Sequence, residues 1–331
     1  MNRVYILLVA FLLSFMTSSC FKEEDKVAPY NPGDLQTNTS NVGDSYSQQI
    51  YFDLSSNTNV SIHENTSWDL AFTCEEGDWH MRLNSALMRW AGNSQDTNFA
   101  LINSADGLTM LFDVSSGNPD STAIGAWYYE DEEQVMSKKQ VYIIDRGIDD
   151  LGNILGFKKI SIDIAEESYL LRYANLDGTE EGMQVIEKEE AYNYRFFSFE
   201  NGLVSIEPPK DEWSLKFSRY STILFTTDGE AYPYNVVGVL LNPNAMVGQM
   251  NTNDFDLLTL ADTNQYHFIK NADVIGYAWK EYDFDNGTYA ILENKNYIIK
   301  DIDGFYYKFR FTRFYDNQGR KGAISYEFLR L

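Results

Sequence analysis

Two stretches of this chain, built around tryptophans 68 and 213 and so about 145 residues apart, spell nearly the same thing. Tyr51-Phe52 leads through Val60-Ser61-Ile62 to Trp68-Asp69-Leu70-Ala71-Phe72. Phe196-Phe197 leads through Val204-Ser205-Ile206 to Trp213-Ser214-Leu215-Lys216-Phe217. The agreement continues downstream. Ile124-Gly125-Ala126-Trp127 is echoed by Ile275-Gly276-Tyr277-Ala278-Trp279, and Tyr142-Ile143-Ile144-Asp145 by Tyr297-Ile298-Ile299-Lys300. Blocks recurring in one order at a long spacing predict one structural unit used twice. The hand-over falls near residue 190, and function must lie in one copy, in the other, or between them.

The unit reads as β. Aromatic residues make up 15% of the chain and tyrosine alone numbers 23, a composition that suits pleated surfaces better than helices. Period-two alternation starts near Gln48 and is clear at Trp79, Met81 and Leu83, which share one face against His80, Arg82 and Asn84 on the other. Turn dipeptides at Asp106-Gly107, Asp177-Gly178, Asn201-Gly202, Asp228-Gly229, Asn286-Gly287 and Asp303-Gly304 accommodate the positive φ of tight hairpins and predict antiparallel connections. Helical signals are confined to a short segment at 251–262, opened by Asn253 or Asp254, and a weaker one at 180–192 that also reads as an acidic linker. The expected fold is all-β, mainly antiparallel, with two repeated modules packed together and few or no helices.

The first residues are a processing signal. Arg3 precedes a nearly unbroken apolar run over residues 4–15, too short to span a bilayer, and the run ends in Met16-Thr17-Ser18-Ser19-Cys20. This resembles the loose lipobox of Bacteroidetes lipoproteins, which implies a signal peptide over 1–19 and lipidation of Cys20. Phe21-Lys22-Glu23-Glu24-Asp25 resembles the export signal that sends such lipoproteins to the outer face of the outer membrane. Residues 20–45, rich in Pro, Thr, Asn and Ser, read as a flexible tether. The modules then occupy 46–190 and 191–331. With Cys20 lipidated, Cys74 is the single remaining cysteine, so no disulfide or cysteine metal cluster is available.

The chain carries 49 acidic and 26 basic residues, a formal charge of −23, which argues against nucleic acid as a partner. No nucleophile elbow, phosphate loop, dinucleotide fingerprint or zinc-protease helix occurs, and no enzyme activity is expected. Closely spaced carboxylates at 145–150 and 283–287 could suit calcium but lack the full loop pattern, and turns are the better reading. Trp79, Trp90, Trp127 and Trp279 could make a sugar-stacking platform, although tryptophans at matched positions are better explained as core anchors.

Trp68-Asp69-Leu70-Ala71-Phe72 followed by Met81-Arg82-Leu83-Asn84-Ser85, and the closing Asp303-Gly304 with Tyr307-Lys308-Phe309-Arg310-Phe311-Thr312 and Lys321-Gly322, resemble the HmuY family of Bacteroidetes surface lipoproteins. The second copy matches the general order best; the first matches its opening block well and its closing block loosely. The resemblance implies an almost entirely β fold that binds haem between finger-like extensions through two histidines or two methionines. It also implies delivery of haem to a TonB-dependent outer-membrane receptor. Two neutral axial ligands saturate the iron and favour carriage over oxygen chemistry.

The family's ligand pair does not carry over position by position. After Trp127 the first histidine or methionine is Met136, and after Trp279 there is neither before the closing strands. The candidate haem ligands are Met110 with Met136 in the first copy and Met250 with His267 in the second. For each, apolar packing of methionine or a surface role for histidine competes. His63, in a turn before Trp68, and His80, on the polar face of a strand, read as surface or hydrogen-bonded histidines. The alternative function is a surface interaction or adhesion module that docks a protein or glycan without a cofactor.

Overall fold

A computed structural model describes residues 33–331, apart from 132, 133 and 253. The signal peptide, Cys20 and the first part of the tether lie outside the described residues. Those described form one unit, and every pairing between their strands is antiparallel. The fold is all-β, as expected.

Two large sheets mirror each other in order. One runs Gln36–Asn41, Lys321–Arg330, Tyr306–Tyr315, Lys295–Lys300, Met246–Asn251; the other runs Gly182–Ile186, Ser168–Asn175, Phe157–Ala165, Val141–Asp145, Trp90–Asn93, Met110–Leu111. Five of the six turn dipeptides join neighbouring antiparallel strands, and Gly229 and Gly304 adopt the φ of +83° and +85° that such turns require.

The polar tether ends earlier than expected, because Gln36–Asn41 forms the edge strand against Lys321–Arg330. Its Gln-Thr-Asn-Thr-Ser-Asn sequence has no apolar alternation to read. Pairing is supported instead by Ser40, whose hydroxyl bonds Tyr326 Oη at 2.9 Å and Asn59 Oδ1 at 2.8 Å. The helix expected at 251–262 is reduced to two 3₁₀ turns, Phe255–Leu257 and Leu260–Gln265, the second opened by a Thr259/Asp262 capping box. The acidic segment at 180–192 contains the strand Gly182–Ile186.

The two halves exchange their opening hairpins. Gln48–Asp53, which pairs with Thr58–Glu64, adds to Leu215–Phe225 in the second half. Tyr194–Ser198, which pairs with Gly202–Val204, adds to Leu70–Thr73 in the first. Alternation explains what the exchange buries, since successive side chains of a strand face opposite ways. Phe52 enters the core around Trp279, Phe217, Phe309 and Tyr326, whereas Tyr51 faces the junction. Phe197 enters the core around Trp127, Trp79 and Tyr169, whereas Phe196 faces the junction. A third cluster of Tyr51, Trp68, Ala71, Phe196, Ile206 and Trp213 fills the seam.

Corresponding positions make corresponding hydrogen bonds across that seam. Asp69 N donates to Phe197 O at 2.7 Å, and Ser214 N to Phe52 O at 2.8 Å. Asn84 Nδ2 donates to Trp68 O at 2.8 Å, and Asn242 Nδ2 to Trp213 O at 2.8 Å. Both asparagines are buried, and their side chains hold the tryptophan turns in place. The second of them, in Leu241-Asn242-Pro243, is a recurrence too short to be visible by spacing.

Candidate functional site at the junction

Two adjoining hollows sit against the seam. The inner one encloses about 320 Å³ and is walled mainly by the junction aromatics Tyr51, Trp68, Tyr194, Phe196 and Trp213. Tyr51 and Trp213 meet edge to face at 4.9 Å, as do Trp68 and Phe196, a preferred geometry for aromatic pairs. Glu207, Lys216 and Asp113 share this apolar space, and Arg82 and Lys270 also line it. Burial pushes the Glu207 carboxyl up to about 7, against hydrogen bonds donated by Asn193 Nδ2 (2.6 Å), Tyr194 N (2.9 Å) and Trp213 Nε1 (3.0 Å). Burial pulls the Lys216 ammonium down to about 8, and pushes Asp113 up to about 6 although Leu83 N and Ala123 N donate to it.

The outer cleft is larger, about 1630 Å³, and shares Arg82, Gly117, Tyr194 and Pro243 with the inner hollow. It is lined by the 73–80 turn, the 187–194 segment and the Gln134 end of the Tyr128–Asp131/Gln134–Ser137 ribbon. Acidic residues crowd it, among them Glu75, Glu76, Glu166 and Glu167, with Arg82, Lys188 and Lys210 as cations. His80 lies here, half-buried, with Nδ1 hydrogen-bonded to the Asp78 carboxylate. Nε2 makes no protein hydrogen bond among the described residues. The buried Cys74 thiol also borders the cleft, pushed up to about 12 chiefly by desolvation, which leaves it protonated and unreactive at neutral pH.

The sequence-predicted ligands lie elsewhere. Met110 belongs to the six-stranded sheet, where its sulfur packs over Gly92. Met136 lies in the separate two-stranded ribbon, with Tyr129 Oη 3.8 Å from its sulfur. Met250 is 1% exposed and packs with Phe255, Leu258 and Ile298, whereas His267 is exposed. None of the four lines either hollow. His63 shares a 2.7 Å hydrogen bond with Ser61 Oγ. The sequence reads His80 as part of the polar face of a strand; it precedes the strand Met81–Leu83, and strand alternation cannot reveal that it borders a cleft. Its one local signal is Asp78 two residues before it.

Other expectations resolve plainly. Trp127 and Trp279 are fully buried and Trp79 nearly so, while Trp90 packs on Phe112, so these four offer no open sugar platform. Asp149 and Asp283 each accept three hydrogen bonds from their own turns, and no metal-sized cluster of His, Cys, Asp or Glu exists among the described residues.

The sequence model of the family described as HmuY protein matches residues 45–328. The chain belongs to the HmuY family. The match runs through both halves in one span. No curated protein matches this HmuY-family chain. Among solved structures, it is similar to a HmuY-like heme binding protein from Bacteroides vulgatus, 15% identical, covering 52% of this chain and 91% of that one at a TM-score of 0.24. It is also similar to the apo HmuY analog of Tannerella forsythia, 9% identical, covering 90% and 95% at a TM-score of 0.26. Apo PinO from Porphyromonas gingivitis is 14% identical, covering 52% and 95% at 0.19.

Proposed function

We propose that this HmuY-family protein is a binder rather than an enzyme: a surface-anchored lipoprotein that captures haem or a related porphyrin in the outer cleft and passes it to a TonB-dependent receptor. The observation that carries the reading is His80. A carboxylate on one ring nitrogen fixes the tautomer and leaves the other nitrogen without a protein partner among the described residues, the arrangement typical of a metal-bound imidazole. The cleft volume of about 1630 Å³ exceeds that of ordinary small-molecule pockets, which run from about 300 to 1,000 Å³. Arg82, Lys188 and Lys210 supply cations for carboxylate side arms within an otherwise acidic wall. Haem supplies an iron centre that accepts a neutral imidazole nitrogen, and His80 is the one residue of the cleft able to offer it. Asp78 holds the ring, and Trp79, packed beneath Lys188 Nζ at 3.9 Å, makes the adjoining wall rigid.

Titration of the mature protein with ferric and ferrous haem tests this. A saturable, shifted Soret band that H80A loses is expected. No saturable change in either redox state sinks the haem reading, and a shift unaltered in H80A sinks the assignment of His80. Lipidation at Cys20 and display on the outer membrane are tested by labelling with a palmitate analogue and by protease shaving of intact cells, with a C20A control.

A second reading, docking of a protein or glycan, is favoured by one observation. The hairpin of Leu215–Phe225 and Ala231–Leu241 ends in exposed aromatics, with Phe225 67% and Tyr234 52% exposed, and the Lys280–Asp283/Thr288–Ile291 ribbon carries Phe284 at 88%. Loss of cell-surface or glycan binding in F225A/Y234A/F284A, with haem binding absent, would favour it.

A further inference from the structure

The inner hollow contains a charge that its packing does not call for. Lys216 and Ala71 occupy equivalent places in the two copies of the Trp-x-Leu-x-Phe strand, and both line the same cavity. The first half fills the position with a methyl group. The second places an ammonium there, half-buried, where the Glu207 charge and the Tyr51 and Trp68 ring faces offset only part of the desolvation that lowers its pKa.

Lys216 has no protein acceptor. Its Nζ makes no hydrogen bond and no ion pair among the described residues, and stands 5.3 Å from the centre of the Tyr51 ring and 5.5 Å from that of Trp68. Glu207, the anion in the same hollow, is turned away. Its two oxygens are taken by Asn193, Tyr194 and Trp213, and burial favours its neutral form. Tyr51 Oη is likewise without a protein hydrogen bond. The cavity therefore presents the Lys216 ammonium and the Tyr51 phenol with free hydrogen-bonding capacity among flat aromatic walls, and the exposed Lys270 lies elsewhere on its lining. Farther along the lining, each oxygen of Asp113 accepts from one backbone amide, and the Arg82 guanidinium is engaged by Tyr194 Oη and Gly117 O.

We propose that this cavity is a binding site for a small monocarboxylate with a flat apolar body, its carboxylate accepting hydrogen bonds from Lys216 Nζ and Tyr51 Oη while the body stacks among Trp68, Phe196 and Trp213. The volume of about 320 Å³ sits at the lower end of small-molecule pockets, which excludes a porphyrin. The site is separate from the outer cleft and does not depend on the haem reading. A carboxylate gives the half-buried ammonium the charge-assisted hydrogen bonds that no protein group among the described residues supplies.

The full mature protein is titrated with phenylacetate, followed by tryptophan fluorescence and calorimetry, beside its uncharged analogue 2-phenylethanol. Saturable phenylacetate binding is expected, at least about tenfold tighter than the alcohol, and K216M is expected to weaken it by about tenfold or more and so to abolish the preference for the acid, as loss of a charge-assisted hydrogen bond implies. H80A leaves phenylacetate binding intact, which separates this site from the haem cleft. Equal affinity for acid and alcohol, undiminished binding in K216M, or no saturable binding of phenylacetate overturns the proposal. The acid-against-alcohol comparison on the unaltered protein decides the matter even if K216M folds poorly.

Discussion

Arg146 Nε lies 2.9 Å from Asp69 Oδ1 in the interior of the first half, and the same carboxylate receives the Arg89 guanidinium and, at 2.9 Å, the backbone N–H of Phe199 from the exchanged hairpin. One aspartate thus contacts two arginines, with Glu200 supplying the second negative charge at Arg146, and ties the opening strands of the two halves together. The second half has Ser214 at the equivalent place, where its hydroxyl accepts from Leu54 N at 3.3 Å. The backbone tie is kept there and the ion cluster is not.

Asp69→Asn should therefore destabilise strongly. Both Asp69 and Arg89 are fully buried, and removing one partner of a buried pair costs about 3–5 kcal/mol. Urea unfolding monitored by tryptophan fluorescence measures the loss. Asp69→Asn combined with Arg89→Met should recover part of it, since the orphaned guanidinium disappears. A loss below about 1 kcal/mol would show that the cluster is not what holds the seam.

Glu207 gives a pH dependence with a definite sign. Its carboxyl is raised in the folded protein from the usual 4.5 to about 7, so the folded state binds the proton more tightly than the unfolded state. The stability it contributes is full below about 4.5 and is lost as pH rises through about 7, by at most about 3 kcal/mol. Glu207→Gln should flatten the fall in unfolding free energy between pH 5 and pH 8 on the order of 1–3 kcal/mol. An identical slope in the variant would refute the assignment.

Lys280 has the opposite dependence. Burial pulls its ammonium down to about 7, where it donates to Val237 O at 2.5 Å and lies 4.4 Å from the Trp279 ring centre. The unfolded state then holds the proton more tightly, and stability rises as pH climbs from about 7 towards 10.5. Lys280→Met should raise the melting temperature at pH 6, and the difference should shrink by pH 10.

Gly238 is required by a close approach. A Cβ there would stand 2.3 Å from Gly276 O, at the point where Val239 and Gly276 exchange hydrogen bonds of 2.9 and 3.1 Å. Gly238→Ala should cost about 1–3 kcal/mol through overpacking, whereas Gly229→Ala in the open turn of the same hairpin acts only through its φ. Thermal melts of both variants compare them.

Asn84 should be as sensitive as a core residue. Its amide donates to Asn65 O at 2.6 Å and Trp68 O at 2.8 Å, and its oxygen accepts from Ala86 N at 3.1 Å. Asn84→Ala leaves three buried backbone groups unpaired, and a loss of roughly 2–4 kcal/mol is expected by denaturant unfolding.

The strands and turns were legible because local physics writes them: Trp79, Met81 and Leu83 alternate, and Asp228-Gly229 supplies a positive φ. The edge strand Gln36–Asn41 was not, since its support comes from Tyr326 and Asn59, distant in sequence. The placement of the ligand candidates was not legible for a related reason. A thioether reads alike as iron ligand or apolar filler, and Met250, buried against Phe255 and Ile298, occupies the filler role. His80 carried no periodic signal to set it apart from any surface histidine.

What the sequence determined by itself is the β alternation and the doubled tryptophan strand, both properties of neighbours along the chain. The tertiary structure decided which hairpin each of those strands would pair with. Tyr51 and Phe52 face opposite ways on one strand, as do Phe196 and Phe197, so each hairpin could serve a core and a seam at once. Nothing local specifies whose core. The exchange sends Trp68 and Trp213 to the junction rather than to the two cores and gathers Lys216, Glu207 and Asp113 around one hollow, because pairing between distant strands is set by complementary burial over the whole molecule.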